Sequence, residues 1–156
     1  MNRPPTGDAL VRVEFQRLAH GRDLEAPRAA TLGSAGWDLA AAVEAPGRLG
    51  PGERALIPTG LKVAVPAGYE AQVRPRSGRA LREGLGLVNS PGTIDSDYRG
   101  EVGVLAINLG REELVIERGD RIAQMVIAPV PSVDWQECDE LPPTSRDAGG
   151  FGSTGR

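Results

Sequence analysis

The chain has 156 residues and a formal net charge of −3, and it contains one histidine and one cysteine. This length suits one domain with its own core, and the acidic balance argues against a binder of duplex nucleic acid, which usually presents a basic face. One histidine and one cysteine nearly exclude a protein-liganded zinc site, and the absence of a signal-peptide pattern or of a long apolar run predicts a cytoplasmic protein with no membrane span.

Turn signals such as Pro51-Gly52, Pro66-Ala67-Gly68 and Pro91-Gly92 recur at short intervals along the chain. Short segments between such signals predict an all-β sandwich or barrel. Period-2 alternation predicts half-buried strands, and more continuous apolar runs predict strands covered on both sides, as in a subunit interface. The alternating segments carry Val11, Val13 and Phe15, then Leu61, Val63 and Val65, then Tyr69, Ala71 and Val73, and finally Leu114 and Ile116; the continuous runs are 102–107 and 122–130.

One short helix is predicted after the strand that ends near Val73. Ser77 is suited to cap it, and Gly84 is suited to end it within two turns. After Leu141 the sequence has almost nothing to bury, so we expect a β domain over residues 1–141 and a flexible C-terminal arm over 142–156.

Four segments carry residues suited to chemistry, and each has an ordinary structural explanation beside it. The tail contains the groups that a phosphate clamp needs, namely glycine N–H groups, two hydroxyls and Arg146. Phe151 is suited to stack on a base. A flexible linker would have the same composition. At Arg76-Ser77-Gly78, backbone N–H groups and a fixed cation favour an anion site or an ordinary capped turn equally.

The segment from Gly92 to Gly100 holds two carboxylates beside a tyrosine and an arginine. An aspartate near a phosphate activates a water molecule, but by residue type alone an acidic turn is the better interpretation. Arg118-Gly119-Asp120 predicts a tight turn with local ion pairing. Gln124 lies inside an apolar run and therefore needs a partner, either a ligand or the backbone.

In this order along the chain, the segments resemble the five motifs of the trimeric dUTP pyrophosphatase (dUTPase) family. The match runs through Ala35-Gly36-Trp37-Asp38-Leu39, Pro75-Arg76-Ser77-Gly78, Asn89 with 92–100, 118–124, and the tail from Gly149 to Gly155. The resemblance implies a jelly-roll β fold and a homotrimer with shared active sites. It implies Mg²⁺-dependent cleavage of dUTP to dUMP and pyrophosphate, which limits uracil in DNA and supplies dUMP for dTMP synthesis.

The resemblance also implies roles for individual residues. Asp95 would be the general base, Tyr98 would lie under the deoxyribose and exclude a 2′-hydroxyl, and Asp38 would position the hydrated metal. The remaining substrate-binding residues fall into three groups: Asn89 with Gly92, Thr93 and Ile94 for the uracil edge; Arg76, Ser77, Gly78 and Gln124 for the phosphates; and Arg146, Gly150, Phe151, Gly152, Ser153 and Thr154 from the tail, where Phe151 would stack on the uracil.

Two positions depart from the family pattern, and two other activities compete with this interpretation. Trp37 stands where tyrosine is more usual, and Arg79 stands where an apolar residue is usual, which leaves its packing or a phosphate contact as open explanations. The alternatives are a dCTP deaminase, which would need a further acid in the strand after Gly100, and a catalytically silent nucleotide-binding trimer. The strand after Gly100 has no acid beyond Glu101, and the intact Asp95 argues against the silent trimer.

Overall fold

A computed structural model describes residues 10–150. Its elements, in chain order, are β1 (Glu14–Arg17), a 3₁₀ turn (Ala19–Gly21), β2 (Trp37–Ala40), β3 (Gly47–Leu49), β4 (Arg54–Ala64), β5 (Tyr69–Arg74), α1 (Ser77–Glu83), β6 (Leu85–Leu87), β7 (Gly92–Ile94), β8 (Glu101–Asn108), β9 (Leu114–Ile116) and β10 (Arg121–Pro129).

The strands form two four-stranded antiparallel sheets and one two-stranded ladder. The first sheet has the order β1-β4-β8-β6, the second has the order β2-β10-β5-β7, and β3 pairs with β9. This arrangement confirms the predicted all-β fold with one short helix. None of the helices within residues 10–150 is long and apolar enough to cross a membrane.

The core lies between the sheets and is built from the alternating positions that the sequence predicted. Leu61, Val63 and Val65 are all buried, as are Leu114 and Ile116. Asn108 at the end of β8 is also fully buried. Its amide donates to the carbonyls of Leu49 and Glu112 at 2.8 Å each, and its oxygen accepts from Gly110 N at 2.8 Å. These bonds join the end of β8 to the neighbouring turns.

The first predicted strand is shifted and buries its apolar face only in part. The prediction placed Val11, Val13 and Phe15 together against a core, but β1 starts at Glu14, and Phe15 is 49% exposed. Alternation shows only that side chains share a face, and β1 is an edge strand that pairs with β4 alone within residues 10–150. Val13, just before β1, is partly buried and packs against the core, so the predicted buried face is present only in part.

The two continuous apolar runs are not covered on both sides within one chain. In β8, Val102, Val104 and Ala106 are buried while Leu105 is exposed. In β10, the residues after Met125 are only partly buried or exposed. The strands themselves are confirmed, but the expected two-sided burial is not present in the isolated chain.

The last strand ends at Pro129, and residues 130–150 form no further strand or helix. Most of their side chains are exposed, including Trp135 at 92%. The predicted division between residues 1–141 and 142–156 falls inside this stretch and remains a prediction.

Candidate active site

A cavity of about 500 Å³ opens where β5 runs into α1. It is lined by five arginines and a single carboxylate, that of Asp38. This excess of positive charge suits a ligand with several negative charges. The lining residues are Ala30, Ser34, Ala35, Gly36, Asp38, Arg74, Arg76, Ser77, Gly78, Arg79, Arg82, Arg121, Gln124 and Val126.

Helix α1 begins one residue earlier than a serine cap requires. The N-cap is Arg76, in an extended conformation with φ −97° and ψ 124°, and no side chain caps the helix. The prediction that Ser77 caps the helix was therefore wrong, because Ser77 is already the first helical residue. The predicted end is confirmed: Gly84 adopts a left-handed conformation with φ 75° and closes the helix through its N–H. A side chain at Gly84 would also overlap Gly110, so both the left-handed backbone and the close contact require glycine at this position.

Asp38 holds two arginines at the mouth of this cavity. Its carboxylate accepts from Arg76 at 2.8 and 3.3 Å and from Arg121 at 3.2 Å. The Asp38 side chain is 19% exposed, so these bonds are partly shielded from solvent. One carboxylate thus orients two guanidinium groups toward the space that an anion would occupy. The sequence pattern did not single out Arg121, because its partner lies 83 residues away in the chain.

Gln124 has a backbone partner, which was one of the two alternatives expected for it. Its side-chain N–H donates to the carbonyl of Pro75 at 2.9 Å. A side chain at Gly36 would overlap the amide of Gln124, so this glycine makes room for it. The bond ties β10 to the residue before Arg76, and Gln124 still lines the cavity.

Arg79 has a structural explanation. Its side chain is only 12% exposed, and it pairs with Glu83 at 2.6 Å and with Asp120 at 3.0 Å. Burial acts to lower the pKa of Arg79, but the hydrogen bond and charge of Glu83 and the charge of Asp120 outweigh it and raise the pKa above its usual value. Arg79 departs from the family pattern, and two explanations were open: local packing or a phosphate contact. The ion pairs support local packing, because they connect α1 to the turn before β10.

The turn at 118–120 is as tight as predicted, but its ion pairs are not local. Gly119 has φ 83°, and Asp120 accepts from Glu117 N at 3.1 Å. Arg118 instead pairs with Asp23 at 2.6 Å. The hydrogen bond from Arg118 is the main cause that lowers the pKa of Asp23 below its ordinary value of 3.8. The expectation of local pairing was wrong, because Arg118 and Asp120 pair with residues that are distant in sequence, Asp23 and Arg79.

Asp95 and Tyr98 lie in a second group, on the turn after β7. Asp95 is exposed, and its carbonyl accepts from Tyr98 N at 3.2 Å. The Tyr98 hydroxyl donates to the carbonyl of Glu101 at 3.1 Å, and any side chain at Gly100 would overlap the tyrosine ring. Arg99 donates to the backbone carbonyls of Ser96 and Tyr98 at 2.7 Å each, so it stabilises the turn rather than pairing with an acid.

The segment that carries Asn89 crosses from one sheet to the other. Strand β6 pairs with β8, whereas β7 pairs with β5, so Asn89 lies on a connection between the two sheets. A side chain at Gly92 would approach the Asn89 amide to 3.1 Å, so Asn89 folds back over the start of β7. Thr93 is exposed and Ile94 is buried in this strand.

One chain does not bring Asp95 and Arg76 together. Ile94 pairs with Ala71 in the antiparallel β5–β7 ladder, and Arg76 lies beyond the opposite end of that ladder. At roughly 3.3 Å per residue, the two are separated by about 17 Å or more along the strands. The predicted phosphate residues and the predicted base therefore form two half-sites on one chain.

The tail contributes little to either half-site within residues 10–150. Arg146 donates to the carbonyl of Gly149 at 2.8 Å and so closes its own local turn. Gly150 is partly buried. Phe151, Gly152, Ser153 and Thr154 lie outside the described residues.

The donor set at the cavity is compatible with Mg²⁺. Mg²⁺ takes oxygen ligands and is commonly held by one or two carboxylates together with substrate phosphates. Asp38 is the one carboxylate that lines the cavity, and the arginines beside it suit phosphate oxygens. Among residues 10–150 no three His, Cys, Asp or Glu side chains cluster as metal ligands.

Similarity to known proteins agrees with this architecture. A model of the dUTPase family matches residues 22–155. The chain is 54% identical to a deoxyuridine 5′-triphosphate nucleotidohydrolase from Wolbachia sp. subsp. Drosophila simulans (strain wRi), with 94% of this chain and 97% of the relative covered. It is 52% identical to a protein of the same name from Sinorhizobium medicae (strain WSM419), with 99% of both chains covered.

Solved structures give the same result for the fold. The dUTPase of Staphylococcus bacteriophage 80alpha, in a mutant form bound to dUpNHpp, matches with a TM-score of 0.84 at 25% identity, covering 93% of this chain and 99% of that one. The dUTPase of phage phi11 of S. aureus, whose structure describes a structural Mg(II) ion, matches with a TM-score of 0.75 at 23% identity over 85% of this chain and 99% of that one. With a family match over nearly the whole length and relatives more than half identical, the chain belongs to the dUTPase family.

Proposed function

We propose that this protein is a dUTP diphosphatase that hydrolyses dUTP to dUMP and pyrophosphate. The observation that carries the proposal is the cavity with five arginines and one carboxylate, in a chain more than half identical to relatives named deoxyuridine 5′-triphosphate nucleotidohydrolase. A triphosphate is the kind of ligand that such a charge distribution favours. We also propose that the enzyme works in the cytoplasm, where it would meet its nucleotide substrate.

In the proposed reaction, water attacks the α-phosphorus of dUTP. Asp95 accepts a proton from the water, a new P–O bond forms, and the bond from the α-phosphorus to the bridging oxygen breaks, so that pyrophosphate leaves. The exposure of Asp95 on the turn after β7 makes its carboxylate available to a substrate. Tyr98 would lie under the deoxyribose, where a 2′-hydroxyl finds no room, and Asn89 and its neighbours would bind the uracil edge.

The phosphates would be held from the cavity. Arg76, Ser77, Gly78 and Gln124 line it and are the proposed ligands, and Arg121 joins them through its shared bond to Asp38. Arginine orientation by Asp38 would precede substrate binding, so little reorganisation would accompany the reaction. Arg146, Gly150, Phe151, Gly152, Ser153 and Thr154 would complete the clamp.

We propose Mg²⁺ as the cofactor, with Asp38 as the nearby carboxylate. When bound, the ion neutralises charge on the phosphates and helps to orient them. Asp38 would hold it through water, because both carboxylate oxygens already accept bonds from arginines.

We further propose a homotrimer with shared active sites. The separation between Asp95 and the cavity within one chain supports it, because a base and phosphate ligands must reach the same triphosphate. The outward apolar residues of the first sheet, including Leu56 at 66% exposed, are also consistent with burial in an assembly.

The direct test is pyrophosphate release from dUTP, dTTP, dCTP and UTP, with Mg²⁺ and with a chelator. We expect efficient release from dUTP alone and loss of that release on chelation. No release from dUTP, or ammonia release from dCTP, would refute the proposal.

The assignment of the base is tested by comparing two neighbouring aspartates. Asp95→Asn is expected to lose about 100-fold or more in turnover while still binding dUTP, because a general base contributes roughly 10²–10⁴. Asp97→Asn is the matched control, since it removes the same charge two residues away. Near-normal turnover in Asp95→Asn, or a larger loss in Asp97→Asn, would overturn the assignment.

A further inference from the structure

The carboxylate of Glu101, at the start of β8, joins three parts of the chain. Its Oε1 accepts from Gly60 N at 2.7 Å and from His20 Nε2 at 2.8 Å. Because an ionised carboxylate only accepts hydrogen bonds, the imidazole N–H of His20 is the donor. One side-chain oxygen therefore links β8 to the middle of β4 and to the 3₁₀ turn at Ala19–Gly21.

The bond to Gly60 lies where the backbone ladder is interrupted. The β4–β8 register shifts between Pro58 and Lys62, and Gly60 has φ 67°. A side chain at Gly60 would collide with Gly21, so the 3₁₀ turn packs directly on this irregularity. A backbone N–H at such a point needs another acceptor, and Glu101 supplies it.

The backbone of His20 is also held by a hydrogen bond. Its carbonyl accepts from Arg118 Nη2 at 2.6 Å, and Arg118 is itself paired with Asp23. His20 thus has its ring on Glu101 and its backbone on Arg118. The sequence pattern indicates no role for this histidine, because both partners lie more than 80 residues away.

The turn that carries Asp95 is also hydrogen-bonded to the backbone of Glu101. Its main-chain carbonyl accepts from the Tyr98 hydroxyl at 3.1 Å, and Tyr98 N donates to the Asp95 carbonyl at 3.2 Å. The tyrosine ring lies against Gly100. The position of Tyr98 therefore depends on the Glu101 backbone, which is held by its pairing with Lys62 in the β4–β8 ladder and by the bonds of the Glu101 carboxylate to Gly60 and His20.

We infer that Glu101 is a positioning residue for substrate selectivity. Its hydrogen bonds to Gly60 and His20 hold Tyr98 in the position from which Tyr98 discriminates between deoxyribose and ribose. The inference rests on the proposed function. Without the carboxylate, the turn keeps its internal bonds and Glu101 keeps its pairing with Lys62, but the side-chain bonds to Gly60 in β4 and to His20 in the 3₁₀ turn are lost. Tyr98 can then move away from the sugar, and a 2′-hydroxyl is admitted.

The test is the selectivity ratio, defined as kcat/KM for dUTP divided by kcat/KM for UTP. Glu101→Ala is expected to lower this ratio about tenfold, because a displaced Tyr98 ceases to exclude the 2′-hydroxyl. Glu101→Gln is expected to restore most of the ratio, since its amide oxygen accepts from the same two donors.

Glu53→Ala is the matched control. Glu53 also accepts from a backbone N–H, that of Gly50 at 2.7 Å, but it lies in the turn before β4 and has no bond to Tyr98. The control removes a comparable capping bond and is expected to leave the ratio unchanged. A purely structural role for Glu101 would make the two alanine variants behave alike.

His20→Ala provides a second, milder variant in case Glu101→Ala fails to fold. It removes one of the two anchors and is expected to lower the ratio by about two- to fivefold. A wild-type ratio in a folded Glu101→Ala protein, or in His20→Ala if the former does not fold, would overturn the inference. Absence of pyrophosphate release by the wild-type protein would instead refute the proposed function, so the two failures are distinguishable.

Discussion

The two half-sites lead to a complementation experiment. Ile94 is opposite Ala71, and Arg76 follows five residues later along the direction that leads away from Asp95. At roughly 3.3 Å per residue, this places the proposed base about 17 Å or more from the proposed phosphate ligand. A general base acts within about 3 Å of the water that it deprotonates, which is why we propose that two chains supply these residues to one substrate.

The perturbation is a pair of single variants, Asp95→Asn and Arg76→Gln. Each is expected to be nearly inactive alone. After equal amounts are dissociated together and reassembled, each half-site carries an intact residue with a probability of one half. In a symmetric trimer with sites between subunits, about a quarter of the sites then have both intact residues, and about a quarter of wild-type activity returns.

The assay is pyrophosphate release per subunit before and after mixing, with two differently tagged variants to show that mixed trimers form. The control mixes Asp95→Asn with the double variant Asp95→Asn/Arg76→Gln, which has no intact Asp95 and must stay inactive. If mixed trimers form and no activity returns, one chain supplies both residues, and the argument from the β5–β7 register fails.

Two further predictions concern stability. Asn108→Leu leaves two carbonyls and one N–H without their partner, and at roughly 1–3 kcal/mol for each we expect a loss of at least about 3 kcal/mol in the free energy of unfolding. Denaturant unfolding measures it, with the exposed Gln136→Leu as control, and a loss below about 1 kcal/mol would contradict the reasoning. Asp23→Asn is expected to lower Tm at neutral pH, because the pKa of Asp23 in the folded protein is below its ordinary value of 3.8. The ionised carboxylate therefore stabilises the fold above pH 3.8, and this stabilisation is lost as the pH falls through the lower folded pKa. Thermal unfolding at several pH values, with Asp139→Asn as control, checks the sign; a difference that grows on acidification would show the opposite linkage.

The sequence predicted those parts of the fold that local patterns encode. Alternation identified the buried faces around Val63 and Ile116, and Gly84 was correctly identified as the end of α1. The same alternation could not say that Phe15 is half exposed, because that depends on β1 being an edge strand. The crossing near Asn89 was missed for a similar reason, since strand partners are chosen by contacts distant in the chain.

The candidate site shows the same division. The resemblance pointed to Asp38, Arg76 and Gln124, and these residues line one cavity, although their roles remain predictions. Arg121 and Arg79 were not identified through their partners, because Asp38 and Asp120 lie 83 and 41 residues away from them. Ion pairs of this kind depend on tertiary geometry and leave no periodic signal in the sequence.

The position of β10 has a consequence for how the chain is made. This strand is the last in sequence, yet it lies between β2 and β5 in the middle of its sheet. During synthesis on a ribosome, β2 and β5 therefore have no common neighbour until residues 121–129 have emerged. A product that stops before Arg121 exposes open strand edges, which are prone to pair with other chains. Termination before residue 121 is thus expected to yield an aggregation-prone fragment rather than a shortened enzyme.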